Sequence, residues 1–159
     1  MAERPTSRPD VVALEGYHSP QMDVAVRLNT NESPLPPPAE FAEALAEATR
    51  AIGWNRYPDR GAVRLRTALA ERYGVGADQV FAANGSNEVI QSLLLAYGGS
   101  GRSVAVFEPT YAMYALIARS TGTRVVRGRR EPDFALDPTT VTDLLDAERP
   151  DLVVLCSPN

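Results

Sequence analysis

The two halves of the chain carry different hydrophobic patterns. From residue 79 onward, short apolar runs without polar alternation take turns with segments of helical period. "QVFAA", "SVAVFEP", "TRVVRG" and "DLVVLCSPN" have the length and apolar character of strands covered on both faces. Between the first two, "SNEVIQSLLLAYG" predicts a helix with Ile90, Leu93, Leu94 and Tyr97 facing inward, and "YAMYALIARST" predicts another. Asp137 caps, and Pro138 opens, a further helix carrying Val141, Leu144 and Leu145. Such strands separated by helices predict an α/β fold, a mostly parallel sheet with helices on both faces.

Before residue 79 the pattern is helical only. "AEFAEALAEATRAI" sets Phe41, Leu45, Ala48 and Ile52 on one face, "NRYPDRG" interrupts, and a helix with Leu65, Leu69 and Tyr73 follows. Residues 1–38 are rich in Pro, Arg and Asp, are weakly periodic and end in "SPLPPPAE"; they read as an arm without its own core.

Composition narrows the class. At 159 residues there is room for one domain, or for a piece of a larger one. An apolar share of 44% and a charged share of 23% are ordinary for a soluble globular protein. The net charge of −4, with scattered arginines, gives no footprint for nucleic acid or an anionic membrane. The single cysteine forms no internal disulfide, and there is neither a signal-type apolar region nor a run near the ~20 residues of a membrane span. The expectation is a soluble, cytoplasmic chain. All sixteen Lys plus Arg residues are arginine, so the chain has no lysine.

Candidate chemistry gathers where strands end. In "FAANGSNEVI" a strand over 79–83 is expected to run into a turn at Asn84, Gly85, Ser86 and Asn87, with a helix starting at once. Free amides and the positive end of the helix dipole suit a phosphate there, although Ser86 as a plain helix cap remains an equal reading. Neither GxGxxG nor GxxxxGK[ST] accompanies the turn, which disfavours dinucleotide and P-loop binding. Tyr111, in "FEPTYAMY", stands at the next strand exit and could stack on a flat ring, or simply pack at the rim. Asn159 leaves a third exit, either as an amide donor or as a turn-former after proline. His18 reads as a solvated loop residue and Cys156 as a packing thiol.

"RYP", "NGSNE", "PTYAMY" and "CSPN", in this order and spacing, resemble the fold type I, class I/II pyridoxal-phosphate aminotransferases. "GYHSP" and "LNTNESP" in the arm make the likeness strongest to the histidinol-phosphate branch, with Gln21 standing where that branch usually has glycine. The resemblance runs from about residue 15 to residue 159. It implies that residues 39–159 are the N-terminal part of a large cofactor-binding domain. It further implies that Gly85, Ser86 and Asn87 hold the phosphate of pyridoxal 5'-phosphate, that Tyr111 stacks on its ring, and that Asn159 donates to its phenolic oxygen. Tyr57 would reach the phosphate of the other subunit's cofactor in a homodimer, and Tyr17, Asn29, Glu32 and Asn87 would line the substrate side. Its substrates would be an amino donor and a 2-oxo acid, L-histidinol phosphate and 2-oxoglutarate in that branch.

The resemblance also implies three residues that the chain does not contain after "SPN". These are an aspartate for the pyridine nitrogen, the lysine that carries the cofactor covalently, and an arginine for the substrate carboxylate. The chain is therefore expected to be an N-terminal fragment, with no catalytic lysine and no transaminase activity alone. Three alternatives stay open: an aromatic or other class I/II aminotransferase, a threonine-phosphate decarboxylase, and a lysine-less α/β phosphate-binding module.

Overall fold

The computed structural model describes residues 5–16, 19–29 and 32–159. In chain order the elements are α1 (Pro9–Val12), α2 (Ala39–Arg50), α3 (Val63–Tyr73), a 3-10 turn (Ala77–Gln79), α4 (Ser86–Tyr97), β1 (Ser103–Glu108), α5 (Met113–Ser120), β2 (Arg124–Arg129), α6 (Pro138–Glu148) and β3 (Leu152–Val154). They form two compact units, one joining the segment up to residue 17 with Phe81–Asn159, the other comprising His18–Val80.

The first unit is built on a three-stranded parallel sheet in the order β2-β1-β3. Pairing runs from Ser103↔Arg124 to Glu108↔Arg129 on one side of β1, and from Val104↔Leu152 to Val106↔Val154 on the other. β1 is paired on both edges and covered by helices on both faces, and every residue from Ser103 to Phe107 is buried. Alternation sends its side chains into two cores. Val104 packs with Leu94, Ile117 and Ala118 of α4 and α5. Ala105 and Phe107 pack with Val126 and with Val141, Leu144 and Leu145 of α6. Helices therefore lie on both faces. Fully burying Val104, Val106 and Phe107 is worth about 1.5–3 kcal/mol per side chain.

Local chemistry sets the element ends. Asp137 accepts the amide of Thr140 at 3.0 Å, and Pro138 supplies the first helical residue of α6. Gly128 lies against the ring of Phe107, where a Cβ would collide with it. Arg8, just before α1, donates to the carbonyl of Ser120 at 3.0 Å and pins that short helix to the end of α5.

Two expectations need correction. Residues 79–83 do not form a strand: the 3-10 turn ends at Gln79 and 80–83 are irregular. Two of the segment's carbonyls, those of Val80 and Ala83, accept from groups outside any ladder. Arg66 donates to Val80 O at 2.8 Å and to Ala77 O at 2.6 Å, and Gly85 N–H donates to Ala83 O at 3.0 Å. The sheet runs β2-β1-β3, and this segment pairs with neither of its outer strands. On α4, Ile90 and Leu94 face the core, but Leu93 and Tyr97 are 48% and 56% exposed. The sheet covers one stripe of that helix, narrower than its apolar content.

The second unit holds α2, α3 and the 3-10 turn. Asp59 fastens the start of α3 by accepting the amides of Gly61 at 2.9 Å and Val63 at 2.8 Å. Gly74, at φ +67°, closes that helix in the left-handed conformation that glycine adopts freely. Among the described residues of this unit only Ala70 is buried.

Candidate functional site

The carboxyl ends of β1 and β3 and the start of α4 meet along one edge of the first unit. β1 leaves toward α5 on one face of the sheet, while β3 is entered from α6 on the other. In open α/β sheets the crevice for a ligand opens between such neighbours.

The turn before α4 is built from Asn84 and Gly85. Gly85 has φ +83° and open space where a Cβ would stand, so the backbone there is uncovered. Its own amide is engaged with Ala83 O, which corrects the expectation of a free N–H at Gly85. The amides of Ser86 and Asn87 have no acceptor among the described residues, and they open a helix of 12 residues. The carboxylate of Glu88 turns back to accept the amide of Asn84.

Tyr111 is joined to this turn. Its hydroxyl donates to Asn87 Oδ1 at 3.1 Å, across 24 residues of chain, and its ring is 39% exposed. Tyr114 meets the ring edge-on, with centroids 5.5 Å apart and planes at 85°. A bond with the Cys156 thiol, then burial, then the charges that Cys156 and Tyr111 can develop push the Tyr114 phenol up to about 12. Asn159 sits at the same exit. Its Nδ2 donates to Pro109 O at 3.0 Å, and its Oδ1 accepts from Thr110 Oγ1 at 2.7 Å. One N–H of the amide stays available. Gly85, Ser86, Asn87, Tyr111 and Asn159 are thus carried by one edge.

Tyr114 and Thr110 were missed by sequence reasoning. Tyr114 stands three residues after Tyr111 at the start of a helix and Thr110 adjoins a proline, but neither position names the distant partner that gives it a role.

The remaining site residues belong to the second unit or lie outside the described residues. Tyr57 is 98% exposed. Asn29 donates to Pro20 O at 2.7 Å and Ser19 Oγ at 3.2 Å, stapling its own loop, and Glu32 faces Arg27 at 3.9 Å. Tyr17 and His18 fall outside the described residues.

A groove of about 540 Å³ lies beside this edge, lined by Tyr111, Thr110 and the arginines at the end of β2, with the Arg127–Glu108 ion pair (2.9 Å) at its wall. It touches neither Ser86, Asn87 nor Asn159. The edge that carries those residues is open rather than enclosed.

Residues 23–159 match the family model described as "Aminotransferase class I and II". The chain belongs to that family. A histidinol-phosphate aminotransferase of Frankia casuarinae is 50% identical over 160 residues, covering 96% of this chain and 40% of the relative. An α-aminoadipate aminotransferase of Thermus thermophilus, complexed with N-(5'-phosphopyridoxyl)-L-leucine, has a TM-score of 0.61 at 26% identity over 72% of this chain and 30% of that one. The histidinol-phosphate aminotransferase of Clostridium acetobutylicum shares the fold at TM-score 0.64 and 24% identity, over 77% of this chain and 34% of that one. The chain spans about 40% of the length of the curated relatives it matches.

These likenesses indicate pyridoxal phosphate as the cofactor, and the donor set on the edge suits it. The uncovered backbone at Gly85, two open amides, the Ser86 hydroxyl, a half-exposed aromatic ring and a primary amide match a phosphate, a flat ring and a ring oxygen.

Proposed function

We propose that the chain is the N-terminal, cofactor-holding part of a pyridoxal-phosphate aminotransferase that moves an amino group between L-histidinol phosphate and 2-oxoglutarate. For the substrate, the support is 50% identity to a histidinol-phosphate aminotransferase over nearly the whole chain. For the site, the observation that carries the reading is the bond from Tyr111 to Asn87, which ties the ring-sized aromatic to the anion-suited turn.

The roles follow from the donors. Gly85, Ser86 and Asn87 bind the phosphate, through the amides of the last two, the Ser86 hydroxyl and the helix dipole. Tyr111 offers its face to the ring and is held in place by Asn87 and Tyr114. Asn159 gives its remaining N–H to the phenolic oxygen. Pyridoxal phosphate, when bound, stores the amino group between two half-reactions.

Tyr57, almost fully exposed, serves the cofactor phosphate of a second subunit in a homodimer. Tyr17, Asn29 and Glu32 belong to the substrate side, with the arm at 1–38 and the cofactor domain beginning at residue 39. The family's chemistry needs a lysine, and none is among these residues. The chain alone binds the cofactor without covalent attachment and without turnover, in a cytoplasmic setting.

Two measurements test this. Adding pyridoxal phosphate to the purified chain, reducing with borohydride and digesting for mass spectrometry should give no stoichiometric adduct, while titration should give saturable binding. Turnover of histidinol phosphate by the chain alone would refute the reading. The reading frame continued past Asn159 should supply a lysine, and its product should prefer histidinol phosphate over phenylalanine and threonine phosphate.

A further inference from the structure

Arg130 follows β2 on one side of β1, and Cys156 follows β3 on the other. Two strand spacings, about 10 Å, separate those exits. The Arg130 side chain bridges them: Nη2 donates to Cys156 O at 3.2 Å and Nη1 to Phe134 O at 3.1 Å. Its own amide donates to Glu108 O at 2.8 Å, which fastens its backbone to the end of β1. One residue therefore contacts the exits of all three strands. Nε is buried and has no partner, and no carboxylate among the described residues pairs with the guanidinium.

The segment after β3 has little else to orient it. β3 ends at Val154, and residues 155–159 are irregular. Among the described residues, the Cys156 thiol meets Tyr114, and two tethers hold the backbone of Cys156 and the Asn159 amide: Arg130 at the Cys156 carbonyl, and Pro109 and Thr110 at the amide. Two residues, Ser157 and Pro158, lie between these tethers. Fixing the Cys156 carbonyl sets the direction in which the chain reaches Asn159. A planar fork donating in two directions does this, whereas a shorter or single-pointed side chain holds at most one carbonyl.

We propose that Arg130 is a positioning residue for Asn159, holding the amide where it meets the cofactor ring. The proposal rests on the function proposed above for the cofactor, while its structural half is measurable without any ligand.

The test uses the whole 159-residue chain as wild type, Arg130→Met, Arg130→Gln, Asn159→Ala and the double variant Arg130→Met/Asn159→Ala. The first readout is the side-chain amide signal of Asn159 in ¹⁵N-labelled protein, assigned by its loss in Asn159→Ala. In wild type it should be displaced from the position of a free asparagine and exchange slowly. In Arg130→Met it should collapse to the free position, with the signals of Ser103–Phe107 unmoved. Arg130→Gln removes the same reach without leaving an apolar stem, and it decides the matter if Arg130→Met does not fold.

The second readout is pyridoxal phosphate affinity. Each single variant should weaken binding about tenfold, the size of one lost hydrogen bond, and the double variant about tenfold as well rather than a hundredfold. An unmoved Asn159 signal in a folded Arg130 variant, or losses that multiply, would overturn the proposal. If wild type binds no cofactor, the function reading fails by itself, and the amide signal still decides the role of Arg130.

Discussion

Strand β1 and helix α2 are patterned about equally plainly, and they fare differently. β1 reads SVAVFE, and from Ser103 to Phe107 it is buried without a gap. α2 reads AEFAEALAEATR, sets Phe41 and Leu45 on one stripe with Ile52 just beyond, and buries none of its residues. The difference is not in hydrophobicity. β1 has a strand on each edge and helices on each face, whereas the unit that contains α2 offers it no sheet. Periodicity names the face that should be covered, but coverage is supplied by elements far away in sequence.

The comparison breaks if the two regions respond alike to truncation. Phe107→Ala should cost about 3–5 kcal/mol, because the ring is fully enclosed and Leu144 and Val126 cannot collapse onto the space. Phe41→Ala should change stability by no more than about 0.5 kcal/mol. Chemical denaturation of both variants measures this, and equal losses would mean that α2 is covered after all. Gly128→Val approaches the same core from the other side. The new side chain would run into the Phe107 ring, and a loss of about 1–3 kcal/mol is expected.

Much of the first unit was legible in the sequence. The three strands, the helix beginning at Ser86 and the cap at Asp137 all depend on runs or signals within a few residues of each other. The strand expected at 79–83 is absent because a strand needs a partner: no described strand pairs with the segment, and Arg66 takes the Val80 carbonyl from 14 residues away. The same limit hid Arg130 and Tyr114. Their meaning lies in contacts with Cys156 across 26 and 42 residues, and nothing near either one announces it. Tyr111 and Asn87 stood out as separate signals, and only the fold joined them.

A sharper comparison uses that joined pair. Tyr111→Phe keeps the ring and removes the donor to Asn87, so stability should fall by about 0.5–1.5 kcal/mol, toward the low end at this half-exposed site. Cofactor affinity should fall little. Tyr111→Ala removes the ring as well, and affinity should then drop up to about tenfold. If both variants lose affinity equally, the hydroxyl rather than the ring serves the cofactor.

Alkaline pH separates the units in another way. The raised pKa of Tyr114 means that its protonated form is favoured by folding. That stability is present below about 10, the ordinary value of a tyrosine, and is lost as pH rises toward about 12. The melting midpoint of wild type should fall through this window, and Tyr114→Phe should flatten that slope. The readout should come from the first unit, followed through amides of β1, with α3 responding less.

The smallest effects compare one aspartate from each unit. Asp59 is held below its usual carboxyl range by the amides of Val63 and then Gly61, and Asp137 by those of Thr140 and then Thr139. For a depressed carboxyl the stability is present above 3.8, the ordinary value of an aspartate, and lost as pH falls through the folded pKa. Both units should therefore weaken in acid for the same reason. They should weaken separately, because Asp59 fastens only α3 and Asp137 only α6. Hydrogen exchange can tell them apart. Asp59→Ala should speed exchange at Gly61 and Val63 while Thr140 stays slow, and Asp137→Ala should do the reverse, each lowering the melting midpoint by about 2–4 °C. If either substitution speeds exchange at both helix starts, the two units unfold as one cooperative body, and the contrast between β1 and α2 is one of burial alone, not of independent stability.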